Sequence, residues 1–381
     1  MCGLLAEDVN IRTRNFPAFL SQFLHPAIIT MLLMALLVVI VILSAGGDPL
    51  DLVKIGTMFS EGKLNGTEGY DGQFVYYIAR DLNPNQVKDY LDVPAYRYQR
   101  ILLPLLGRFL SLGNINILPW VLPVVGIIAQ VIGTFAVSEY LNYWGVSRWY
   151  ALSYGLWVGF SLAIRLDLTE PLAYAFVAVA ILMSLRQRTI FSWILYGLAL
   201  FAKEVTLLFL VAAMLSALFK KQWKQLLGLG ALAFLPFAIF QVWLWTIFGQ
   251  FGLGTGGAMA TSFEIIPYMG LYRIGYYSQS YLIIMLLIFI PSVVFPSIWG
   301  IWSSIKNMIA GEVNVVVLAL LLNSLAIAFS PFSTFREPVG ILRFSCGLVL
   351  AVVFYAGRYQ LHRVLKYSLF WIAMNVFLIK S

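Results

Sequence analysis

Long apolar blocks separated by short polar joints run the length of the chain. They fall at 26–45, 117–139, 149–165, 170–186, 190–202, 205–219, 226–248, 281–303, 313–330, 338–356 and 366–380. A helix needs about 20 mostly apolar residues to cross a bilayer, where backbone groups find no partner outside the helix itself. The pattern predicts an all-α, polytopic transmembrane helical bundle of about 10–11 spans, a single domain over residues 1–381. The blocks between 149 and 202 are short, which predicts tilted, broken or re-entrant helices. No internal repeat is visible.

The longest polar interruption, residues 46–116, exceeds a simple connection, since loops above about 15 residues are usually functional or disordered. It is not of low complexity. Residues 72–80 (GQFVYYIAR) and 99–111 (QRILLPLLGRFLS) predict short interfacial helices. Arg100 and Arg108, eight apart, would share one face of the second. A further loop at 249–280 contains GQFGLGTGGAM, which predicts mobility.

Composition sharpens the class. With 61% apolar and 11% charged residues, the chain is neither an ordinary cytosolic enzyme, nor a disordered protein, nor a disulfide-stapled secreted domain. The formal net charge of +8 is scattered between apolar blocks. It points to topology, membrane lipids or a phosphorylated ligand, and not to nucleic acid. Cys2, Cys346, His25 and His362 offer no metal-ligand spacing and no triad.

Charge also predicts orientation. With the N-terminus in the cytoplasm, twelve basic residues fall inside: Arg12, Arg14, Arg148, Arg186, Arg188, Lys220, Lys221, Lys224, Lys306, Arg358, Arg363 and Lys366. Arg165, Lys203, Arg273, Arg336, Arg343 and Lys380 then mark the short outer loops and outer span ends. Thirteen of the seventeen acids lie outside on this reading, eight of them within 46–116. Acids have little influence on topology, so their excess suggests outward-facing chemistry.

Three constellations can carry that chemistry. In Tyr70-Asp71-Gly72-Gln73, the carboxylate either deprotonates an acceptor hydroxyl or simply N-caps the following helix. Asp89, Asp92, Tyr96, Arg97, Tyr98 and Arg100 either grip a phosphate and a sugar or form an aromatic belt with solvated charges. Arg165, Asp167, Glu170, Lys203, Glu204, Arg336, Glu337 and Arg343 lie in or beside spans, where charge is costly and suggests ligand binding or pairing. Arg336 and Arg343 are seven apart and would share a face if Pro338 leaves the helix continuous. Lys203 and Glu204 point different ways on a helix, so Lys203 is expected to pair with an acid on another span. Asn65-Gly66-Thr67 reads as a glycosylation sequon or as an ordinary turn.

The segment Tyr70-Asp71-Gly72-Gln73-Phe74, with Tyr76-Tyr77-Ile78-Ala79, resembles the first-loop motif of GT-C glycosyltransferases. Residues 94–106 (PAYRYQRILLPLL) are similar to the stretch just after that motif in bacterial members, and TEPLA at 169–173 and AKEVT at 202–206 are weaker echoes. The layout, with a cytoplasmic N-terminus and a long first outer loop, is also similar.

The resemblance implies transfer of a sugar from a polyprenyl-phosphate-sugar donor to a lipid or glycan acceptor. It implies Asp71 as base, Arg97, Arg100, Lys203, Arg336 and Arg343 as phosphate-binding candidates, and an outer membrane face, such as that of a bacterial inner membrane. Tyr70, Gln73, Asp92, Tyr96, Asp167, Glu170 and Glu204 complete the expected substrate site. No metal ligand set and no cofactor is expected: the loop lacks the Asp-x-Asp or Glu-x-Asp pair of some members, a departure that puts metal dependence in doubt without ruling a divalent metal out. The competing class is a multi-span transporter or lipid flippase. Transporters favour mid-membrane ionisable groups and inverted repeats.

Overall fold

The computed structural model describes residues 25–380. Cys2, Arg12 and Arg14 lie outside that range, and nothing is described of the Lys380 side chain. Among the described residues every regular element is helical. In chain order the elements that matter here are α1 (Pro26–Ser44), α2 (Gly72–Arg80), α3 (Pro94–Tyr98), α4 (Leu102–Leu110), α5 (Leu118–Tyr143), α6 (Val158–Arg165) and α7 (Glu170–Leu185). They continue with α8 (Thr189–Ala202), α9 (Glu204–Phe219), α10 (Trp223–Phe248), α11 (Gln279–Ile309), α12 (Val315–Ala328) and α13 (Pro338–Arg358).

All eleven apolar blocks fall on helix, but unequally. Five helices (α1, α5, α10, α11 and α13) are long and apolar enough to cross a membrane. α7, α8, α9 and α12 are apolar but shorter. The block at 149–165 breaks around Leu156 and Trp157, and that at 366–380 is also in pieces. Gln130 in α5 stabilises the first break by donating from Nε2 to the freed carbonyls of Tyr154 and Gly155. α10 and α11 each contain a wide π turn, at Gly230–Phe234 and Ile290–Val294. Pro236, Pro291 and Pro296 explain them: a proline lacks the amide hydrogen and pushes the carbonyl four residues back.

α13 is the central helix, with 83% of its apolar window buried against 22% for α10. Its residues join α5, α7, α8, α9 and α12 in the main apolar core. α1, α10 and α11 turn Leu36, Leu43, Ile239, Leu287 and Trp302 outward. Helices apolar on all sides with exposed apolar faces suit a lipid surround.

The segment 46–116 folds back on this bundle and builds a second core. Phe74, Tyr77, Ile78, Tyr98 and Leu103 pack with Leu172, Ala173, Ala202 and Leu244. α2 is therefore enclosed, since Gly72 to Ala79 are all buried, rather than lying on an interface. Gly72 permits this docking: a Cβ there would stand 2.1 Å from the Leu166 carbonyl oxygen. α4 begins only at Leu102, so Arg100 and Arg108 do not share a helical face. Arg100 pairs with Glu204, while Arg108 donates to the carbonyls of Ala79 and Arg80. The Asn65-Gly66-Thr67 segment forms a turn closed by Gly66 N–H to Lys63 O, with the Thr67 hydroxyl accepting from the Thr57 amide.

Candidate active site

α7 begins at Glu170 and α8 gives way to extended backbone at Lys203. Because these antiparallel helices stop short, their terminal charges meet at one end of the bundle. Lys203 Nζ donates to Glu170 Oε1 at 3.0 Å. Arg343, on α13, donates to the same oxygen from Nε at 2.8 Å. Glu204 turns the other way and binds Arg100 through both carboxylate oxygens, with Arg100 Nε to Oε2 at 2.8 Å. Arg100 Nη2 also donates to the Tyr96 hydroxyl at 2.6 Å. Adjacent Lys203 and Glu204 thus take partners on different elements, as expected, although the extended backbone at Lys203 rather than a continuous helix turns them apart.

The loop brings the remaining charges. Asp92 receives Arg97 in a fork, Nε to Oδ1 at 2.7 Å and Nη2 to Oδ2 at 2.8 Å. Asp71 occupies the N-cap position of α2 but its side chain accepts no capping bond. It points instead between two guanidiniums, Arg97 Nη1 at 3.0 Å from Oδ1 and Arg343 Nη1 at 3.3 Å from Oδ2. Arg343 Nη1 donates to the Tyr70 hydroxyl as well, at 2.9 Å. Phe74 lies beneath Arg97, with the guanidinium carbon 4.3 Å from the ring centre.

Burial alone would raise the Asp71 carboxyl. Arg97 and Arg343, with Arg100 and Lys203 further out, overcome it and hold the group well below the usual carboxylate range. Asp92 shifts the same way: burial opposes, but the hydrogen bonds and charge of Arg97 win, helped by the amides of Ala258 and Val93. Asp71 is therefore an ionised carboxylate at neutral pH.

Asp71, Arg97, Arg100, Glu170 and Arg343 line a narrow recess with Phe74, Leu168 and Thr169. Its free volume is about 20 Å³, enough for about one water. The glycine-rich segment expected to be mobile is a strap across this region. Gln241 of α10 accepts from the amides of Gly252 and Leu253, both at 2.9 Å, and donates to Gln99 Oε1 at 3.2 Å. Further along the strap, Ala258 N–H donates to Asp92 Oδ2 at 3.1 Å. A Cβ at Gly257 would lie 3.0 Å from Arg97 Nη2. The sequence offered no sign of this role, because it depends on backbone amides and on glycines that let the chain approach closely.

Ten of the thirteen site residues expected from sequence gather here: Tyr70, Asp71, Asp92, Tyr96, Arg97, Arg100, Glu170, Lys203, Glu204 and Arg343. Three do not. Gln73 uses its side chain on backbone, accepting from Gly56 N–H at 3.1 Å and donating to Glu68 O at 2.7 Å. Arg336 faces Glu337 at 3.3 Å and is 37% exposed. It ends a separate short helix, Phe332–Arg336, and Glu337 is extended before Pro338 starts α13. The helix is not continuous at Pro338, which removes the shared face with Arg343. Asp167 follows α6 with φ of 50°, a conformation aspartate tolerates. Its two oxygens have no hydrogen-bond partner among the described residues, and burial pushes its carboxyl up, favouring the protonated form. It does not line the recess.

No family model matches the chain, no curated protein is similar to it in sequence, and no solved structure matches its fold. Function therefore has to be read from the site itself.

Proposed function

We propose that the protein is a membrane glycosyltransferase that moves a sugar from a polyprenyl-phosphate donor to an acceptor hydroxyl at the extracytoplasmic face. One observation carries this reading: an accessible carboxylate stands between two guanidiniums at the end of an apolar helical bundle. A lipid-linked sugar presents its phosphate at that depth, next to hydrocarbon. The GT-C resemblance of residues 70–106 supports the same chemistry, as does the gathering of acids at this end.

The reaction needs two kinds of help. The acceptor hydroxyl must lose a proton as its oxygen attacks the anomeric carbon, and Asp71 accepts that proton. The bond between the anomeric carbon and the phosphate oxygen breaks, and its electron pair stays on the lipid phosphate. Arg97 and Arg343 stabilise the charge that develops there, with Arg100 and Lys203 behind them. Tyr70 and Tyr96 present hydroxyls and ring faces suited to a sugar. The cluster supplies four fixed cations: Arg97, Arg100, Lys203 and Arg343.

The test is turnover of the purified chain in lipid nanodiscs, with labelled polyprenyl-phosphate hexoses and a lipid extract as acceptor. Asp71→Asn is expected to lower transfer by a factor of about 100 or more, the lower end of the range for losing a general base, with the folded protein retained. Undiminished transfer in that variant removes Asp71 as base. Passage of donor across the bilayer without chemical change favours a transporter.

A further inference from the structure

The cluster is electrically closed. Arg97, Arg100, Lys203 and Arg343 face Asp71, Asp92, Glu170 and Glu204, each cation paired with at least one of the acids. An incoming phosphodiester meets no surplus positive charge, and a recess of about 20 Å³ has no room for it. One carboxylate has to give way before phosphate can be held.

The geometry singles out which one. The side chains of Asp92, Glu170 and Glu204 are 7%, 1% and 11% exposed, whereas that of Asp71 is 32% exposed. Arg97 offers Asp92 a two-bond fork at 2.7 and 2.8 Å. Arg343 binds Glu170 at 2.8 Å through Nε and at 2.8 Å through Nη2. Both arginines are thus clamped by a buried acid through Nε and Nη2, which leaves the Nη1 edges, that of Arg343 shared with the Tyr70 hydroxyl at 2.9 Å. The two Nη1 edges converge on Asp71, at 3.0 and 3.3 Å. Asp71 is the most exposed of the four acids, and its contacts with each arginine are longer than that arginine's contacts with its buried acid.

We propose that Asp71 is the resting occupant of an anion seat formed by the Nη1 edges of Arg97 and Arg343, and that the phosphate of a lipid-linked ligand displaces it. The proposal rests on the transferase reading and adds its control. While Asp71 sits between the guanidiniums, it is a weak base. Phosphate in the seat takes over those hydrogen bonds, and the freed carboxylate becomes a stronger base next to the bound donor. Base strength is then switched on by donor binding, and adventitious hydroxyls, including water, meet a disarmed Asp71 in the empty enzyme.

The test measures binding to the full chain in detergent, with farnesyl phosphate as probe and farnesol and inorganic phosphate as comparisons. If Asp71 competes for the seat, Asp71→Asn binds farnesyl phosphate about tenfold more tightly than wild type, a conservative figure for removing one like charge at a few ångströms. Asp71→Glu keeps the charge and binds no more tightly. Farnesol binding is the same in all three. Asp71→Ser carries the same expectation should the Asn variant fail to fold. Unchanged or weaker farnesyl phosphate binding in the neutral variants overturns the proposal. Inorganic phosphate matching farnesyl phosphate supports the seat with free phosphate as its ligand. The transferase reading fails separately: a neutral variant that binds more tightly and still transfers sugar keeps the seat and loses the base.

Discussion

Asp71 stands where an aspartate ordinarily accepts from the first amides of its helix, yet it leaves that bond unmade and turns to two arginines. Sequence spacing left both readings open; the structure shows no capping bond and places Asp71 against Arg97 and Arg343. The same scale shows why Arg336 and Arg343 part company. Both looked like phosphate ligands, but Pro338 starts a new helix and leaves Arg336 beside Glu337. On the proposed reading Arg343 acts through the shape of its guanidinium, with Nε and Nη2 held by Glu170 while Nη1 faces Tyr70 and Asp71. A lysine keeps the charge but cannot keep that fork. Arg343→Lys is therefore expected to raise the donor concentration needed for half-maximal transfer about tenfold, a loss of about 1.4 kcal/mol. Arg336→Lys should leave it unchanged. Donor titrations of both variants decide the matter, and an equal effect would return Arg336 to the site.

Among the elements, the helices were legible because apolar continuity fixes where they lie. Their ends were less so. α7 and α8 are shorter than a span, and this shortness lets Glu170 and Lys203 meet. The strap at 249–261 was the least legible element. Its contacts to Gln241 and Asp92 run through backbone amides from residues far apart in sequence, and no side-chain pattern announces them. Glycine-rich composition suggested mobility; in the structure Gly252 and Gly257 also permit close approach. Gly252 is the clearest case, because a Cβ there would stand 2.6 Å from the Ala95 carbonyl oxygen. Backbone cannot yield as a side-chain tip does, so Gly252→Ala forces the strap off α3. The strap carries the Ala258 amide that helps hold Asp92, and Asp92 orients Arg97. The expected outcome is a five- to tenfold fall in transfer efficiency, about 1 kcal/mol, and faster protease cleavage within 249–261. Gly254, where a Cβ meets nothing within 4 Å but φ is +85°, is a poor control because alanine is strained there. Gly230, with open space and ordinary φ, is a better one, and Gly230→Ala should leave both readouts unchanged.

Across the whole molecule the charges divide by end. α9 starts at the recess, where Glu204 meets Arg100, and runs away from it to Phe219. Lys220, Lys221 and Lys224 come next at the far end, and Arg358 closes α13 there, 5.0 Å from the Trp144 ring centre. Glu139 reaches that end to pair with Arg186. By the positive-inside tendency the far end is expected in the cytoplasm and the recess outside, the orientation that the proposed donor on the outer leaflet requires. Cysteine labelling in intact spheroplasts tests it in a Cys2→Ser background, since Cys346 is fully buried. Leu64→Cys, at a site 90% exposed within the 46–116 segment, should react with a membrane-impermeant maleimide before lysis. Lys221→Cys should react only after lysis. The reverse pattern would turn the bundle over. It would leave the ion cluster intact but face Asp71 to the cytoplasm, where nucleotide-linked sugars rather than outward-facing lipid-linked ones would be the available donors. The choice of donor class thus depends on orientation as much as on the residues of the recess, and the labelling experiment tests the two together.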